Sequence, residues 1–164
     1  MPISIALIAA ATLAVATPTP TPKPALGATV SVASVQPAWR AVRADTIGDL
    51  LFTTQTLNGR VRFVAQGLKN PVPVTTVDFT PDSVRTWTSS AAALAANPSP
   101  KMGDMRGLGL ALTLNVTTTA SGQSAFGFYV GDAVTDQQIA LALTKENVVK
   151  LTTDVNSALD TIGH

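Results

Sequence analysis

Leu50-Leu51-Phe52-Thr53-Thr54-Gln55-Thr56-Leu57-Asn58-Gly59-Arg60-Val61-Arg62-Phe63-Val64-Ala65-Gln66 is the stretch on which the fold turns. Two β-prone runs, Leu50 to Leu57 and Arg60 to Gln66, flank an Asn-Gly dipeptide. Both residues of that dipeptide tolerate positive φ, so it predicts a type I′ turn and a hairpin. In the second arm Val61, Phe63 and Ala65 share one face, and Arg60, Arg62 and Gln66 share the other. A period of two therefore gives one core face and one wet face.

Working outward, Val72 to Phe79 continues as a strand, and Thr80-Pro81-Asp82 then supplies a helix start. The threonine is an N-cap, the proline occupies the first helical position, and the acid complements the helix dipole. Val84, Trp87, Ala91 and Leu94 form one stripe, and Asn97-Pro98 ends the run. Leu108, Leu110, Leu112, Leu114 and Val116 alternate with small or polar residues, which predicts a single strand with one buried face. Ala120 to Gly122 turns the chain, and Ser124 to Val130 returns with Phe126, Phe128 and Val130 on one side. At the C-terminus, Thr135 with Gln138 reads as a capping box that leads Ile139, Ala142 and Leu143 into a short helix. Thr144 starts the next helix, with Val148, Leu151, Val155, Ala158 and Ile162 as its stripe. The expected class is α+β: a mainly antiparallel sheet or sandwich of about five to seven strands, with one mid-chain helix and one or two C-terminal helices. No internal repeat is visible.

Upstream, Ile3 to Ala16 is an apolar run of h-region length ending in Ala14-Val15-Ala16, an A-x-A cleavage pattern. Residues 1–16 are thus expected to be a signal peptide, despite the lack of Lys or Arg before Lys23. The TPTPTPKP stretch makes residues 17–27 a Pro/Thr-rich linker, extended because alternate prolines fix φ and remove donors. Residues 28–164 are expected to form a single domain, with Thr29 to Val35 as an edge strand and the clearly readable body starting at Ile47. The chain is expected to be secreted or periplasmic, with no integral membrane span in its mature form, because the apolar run is too short to cross a bilayer.

The 164 residues are 46% hydrophobic and only 13% charged, and 23 threonines outnumber the 21 charged side chains. A surface wetted by Thr rather than by charge favours exposed sheet faces. With no cysteine, disulfide scaffolds, thiolate zinc sites, iron–sulfur clusters and Cys nucleophiles are excluded. A net charge of +1 without a basic run argues against a nucleic-acid partner.

Catalytic motifs are missing where they would be sought. His164 is the only histidine and terminates the chain, a position where a general base lacks an orienting partner and a dry pocket. Gly122-Gln123-Ser124-Ala125-Phe126 lacks the second glycine of a nucleophile elbow. Gly103 to Gly109 is glycine-rich, lacks the lysine–hydroxyl pair of a phosphate-binding loop, and reads as a loop. Asp45 with Asp49, Asp78 with Asp82, and Asp132 with Asp136 each bracket an element boundary, where Asp caps or turns. Glu146 is the sole glutamate, and no metal-ligand spacing occurs. No metal and no cofactor are expected.

Residues 1–110 hold nine positive and five negative side chains, and residues 111–164 hold two and five, so the parts carry +4 and −3. Among the cations, which include Arg40 and Arg43, Arg60 and Arg62 are two residues apart on one strand face and form the candidate anion-binding pair. The chain is accordingly expected to be a non-catalytic exported domain that binds a protein, an envelope component or a small apolar ligand through its sheet. The alternatives are an enzyme relying on Asp, Arg or Tyr129, and a structural subunit of an assembly.

Overall fold

The computed structural model describes residues 37–98, 105–132 and 135–162. The signal segment 1–16, the linker 17–27, the Thr29–Val35 strand and His164 lie outside them.

The Asn-Gly turn forms as its chemistry dictates, with Asn58 at φ 50° and Gly59 at φ 73°. It joins β2 (Leu50–Leu57) to β3 (Arg60–Gly67) in a register running from Leu57 opposite Arg60 to Leu50 opposite Gly67. On its other side β2 pairs with β1 (Arg40–Ile47), which starts seven residues before Ile47, the expected start of the body. The reason is that β1 lies exposed at a sheet edge, is bulged between Ala41 and Arg43, and buries only Ile47. The predicted strand Val72–Phe79 shrinks to β4 (Pro73–Thr75) plus an isolated bridge between Phe79 and Val61. Two prolines, Pro71 and Pro73, deprive this segment of ladder donors. Buried Thr76 compensates, its hydroxyl accepting from the Phe63 amide at 3.0 Å while its own amide donates to the Phe63 carbonyl at 2.9 Å.

Helix α1 (Pro81–Ala96) starts as predicted, with the Ser83 amide donating to the Thr80 hydroxyl at 3.3 Å, and ends at Asn97. Val84, Trp87, Ala91 and Leu94 are all buried.

Three expectations fail in the second half. The single strand Leu108–Val116 is a hairpin of β5 (Met105–Leu108) and β6 (Leu112–Thr118), with Gly109 at φ 60° and Leu110 92% exposed at its tip. Leu108 pairs directly with Leu112, and cross-strand partners point to the same face. The alternation thus survives the reversal and hides it. The strand also takes in most of Gly103–Gly109, which was expected to be a loop throughout. The short helix expected at Ile139–Leu143 is instead β8 (Gln138–Leu143). There Ile139, Leu141 and Leu143 alternate with Ala140 and Ala142 and pair with β7 (Ser124–Gly131), so tertiary pairing overrides alanine's helix preference. One C-terminal helix follows, α2 (Lys145–Ile162), its Asn147 amide donating to the Thr144 hydroxyl at 3.3 Å.

The fold is α+β, and its described residues contain eight strands rather than five to seven. They form two antiparallel four-stranded sheets, ordered β1-β2-β3-β4 and β5-β6-β7-β8. Among the described residues, 37–98 and 105–162 each run four strands and then a helix. Both sheets and both helices contribute to one core. Phe52 stacks on Phe63 at 5.1 Å between ring centroids, and Phe128 lies 6.0 Å from Phe52 and 6.5 Å from Trp87, which joins the sheets and α1. Fully burying each such ring is worth about 1.5–3 kcal/mol. Thr88, fully buried on α1, donates its hydroxyl to Asn156 Oδ1 of α2 at 2.8 Å. No helix among the described residues is long and apolar enough to cross a membrane.

Candidate functional site

Pairing fixes which side chains turn away from the core. In β3, Val61, Phe63 and Ala65 are buried, so Arg60 and Arg62 stand together on the outer face of the first sheet. Their surroundings differ. Arg60 is committed to Asp78: its Nε donates to Asp78 Oδ2 at 2.9 Å, and a terminal nitrogen donates to the Asp78 carbonyl at 3.0 Å. That contact holds the Asp78 carboxyl below its ordinary pKa. Arg62 has no acidic partner among the described residues. Its Nε donates to Gln55 Oε1 at 2.8 Å, and its guanidinium carbon sits 4.4 Å from the centroid of the Trp39 ring. Burial against these neighbours lowers the Arg62 pKa from its usual value.

Gln55 is legible in hindsight. A two-residue turn at Asn58-Gly59 places Leu57 opposite Arg60 and therefore Gln55 opposite Arg62. Trp39 is not, because it precedes β1, and its arrival over β3 depends on β1 pairing with β2.

The remaining described cations with carboxylate contacts serve structure. Arg43 bridges Asp45 at 2.5 Å and Asp154 at 2.8 Å, and Lys150 also reaches Asp154 at 2.5 Å, which ties β1 to α2. Arg85 meets Asp160 at 2.8 Å, joining α1 to α2, and Lys69 meets Asp49 at 3.1 Å. The acid pairs singled out by spacing thus go to ion pairs and turns: Asp132 Oδ1 accepts the Thr135 amide at 3.2 Å, and Asp82 sits in the first turn of α1. Arg40 has no carboxylate contact among the described residues and lies at the exposed end of β1. No group of three or more potential metal ligands occurs among the described residues.

The second sheet presents a contrasting outer face. Thr113, Asn115, Thr117, Gly127, Ala140 and Ala142 are uncharged, and several of them line a shallow cleft of 480 Å³. Two glycines flatten this outer face: a Cβ on Gly127 would collide with the Asn115 carboxamide, and one on Gly131 would come within 3.0 Å of the Tyr129 ring. The Tyr129 hydroxyl donates to Gln138 Oε1 at 2.6 Å.

Beside the Asp78-bound Arg60, the first sheet therefore offers a half-buried cation braced by an aromatic ring and an amide. Such a group recognises an anionic or hydrogen-bond-accepting surface. The chain matches no protein-family model and no curated protein.

Proposed function

We propose that this protein is an exported, non-catalytic binding domain that recognises a protein or envelope component through the outer face of its first sheet. The observation that carries this reading is Arg62, stacked on Trp39 with no acidic partner among the described residues. Arg and Trp are the residue types enriched where binding energy concentrates, and a braced guanidinium loses little conformational freedom on contact. Export is supported by the apolar run Ile3–Ala16 and the Ala14-Val15-Ala16 pattern. Two measurements test the reading. Intact mass of protein recovered outside the cytoplasm should lack residues 1–16; an intact Met1 there defeats export. Quantitative cross-linking to the producing cell's envelope should yield a partner that the Trp39→Ala/Arg62→Ala double variant loses and Asn115→Ala keeps. A partner retained by the double variant moves the binding surface elsewhere.

A further inference from the structure

We infer that Arg62 forms a carboxylate-binding site, built to take the side chain of an Asp or Glu, or a chain terminus, from a protein partner. This rests on the outer face of the first sheet being the binding surface.

Geometry comes first. The Nε–H of Arg62 is already given to Gln55, and Trp39 covers one face of the guanidinium. What remains is the pair of terminal nitrogens, which have no partner among the described residues. Two parallel N–H groups at the end of a planar fork match the two oxygens of a carboxylate. Because Gln55 and Trp39 hold the side chain before any ligand arrives, part of the ordering cost of such a pair is already met.

Charge then separates carboxylate from phosphate. A phosphate monoester carries about 1.5 to 2 negative charges near neutral pH and favours a second cation. The candidate on the same face of β3, Arg60, is two residues along, but Asp78 already occupies it through two contacts. The surplus on this face of β3 is one positive charge, which one carboxylate balances. Asp78 thus acts as a specificity-determining residue: by neutralising Arg60 it keeps the face from becoming a two-arginine phosphate clamp.

The test follows the Trp39 indole and Arg62 Nε–H signals of the isotope-labelled protein during titration with acetate or with inorganic phosphate at constant ionic strength. Acetate should produce saturable shifts at both signals and phosphate weaker ones. Arg62→Gln should abolish the acetate response at Trp39. Arg62→Lys, which keeps the charge and loses the fork, should weaken it. Asp78→Asn, which frees Arg60, should raise phosphate affinity by roughly two- to fivefold, the size of one exposed ion pair. The inference falls if acetate gives no saturable shift, if Arg62→Gln leaves the Trp39 response intact, or if wild-type protein binds phosphate at least as well as acetate. Acetate binding without partner capture overturns the functional reading and keeps the site; partner capture through Trp39 and Arg62 without acetate binding does the reverse.

Discussion

The described residues 37–98 and 105–162 follow one plan, four antiparallel strands and then a helix, yet they turn different chemistry outward. The first sheet carries Arg60 and Arg62, one neutralised by Asp78 and the other braced by Trp39 and Gln55. The second is uncharged and flattened by Gly127 and Gly131 under Asn115 and Tyr129. Inward, the halves are alike, and Phe52, Phe63, Phe126 and Phe128 enter one core. The lesson is that burial constrains only every second residue of a strand, so the outer residues of a repeated plan are free to diverge.

Breaking the shared core should have the largest effect. Phe63→Ala in the first sheet should cost about 3–5 kcal/mol and Leu112→Ala in the second about 2–5 kcal/mol, from lost transfer energy plus cavity formation. Leu110→Ala, at a tip 92% exposed, should cost below about 0.5 kcal/mol in the same denaturant titration. A cost of several kcal/mol at Leu110 would restore the uninterrupted strand.

The two hairpins sharpen the comparison at a smaller scale. Gly59 at φ 73° and Gly109 at φ 60° each have open space where a Cβ would go, with nothing closer than 4.0 Å. Gly59→Ala and Gly109→Ala should therefore each cost about 1–2 kcal/mol, the backbone penalty alone. Calorimetric melting that leaves Gly109→Ala as stable as wild type would remove the positive-φ turn between β5 and β6. Thr80→Ala should cost about 1 kcal/mol through loss of the α1 cap.

The smallest effect concerns pH and only the first half. The Arg60 hydrogen bond depresses the Asp78 pKa in the folded protein. Its stabilisation is complete above the ordinary carboxylate value and fades as pH falls through the lower folded value. Asp78→Asn should remove that acid-side part of the stability profile and leave stability flat relative to wild type on acidification through this window. Parallel profiles for the two proteins would show that the pair contributes nothing.

Local chemistry by itself determined the Asn58-Gly59 hairpin, the Thr80 cap, the Val84 and Trp87 stripe and the amphipathic α2, because in each the deciding residues lie within one turn or one period of one another. It also put Arg60 and Arg62 on one face, since strand parity needs no partner to be read. Only the tertiary structure decided that Leu108 and Leu112 face each other across a reversal, because cross-strand pairing preserves the alternation a continuous strand would show. Tertiary pairing likewise made Gln138–Leu143 a strand against β7, although two alanines suit a helix equally well. The split between the two arginines was decided the same way. Asp78 lies eighteen residues beyond Arg60, and Trp39 reaches Arg62 only after β1 joins the sheet, so no local pattern distinguishes the cation that is spent from the one that is held ready.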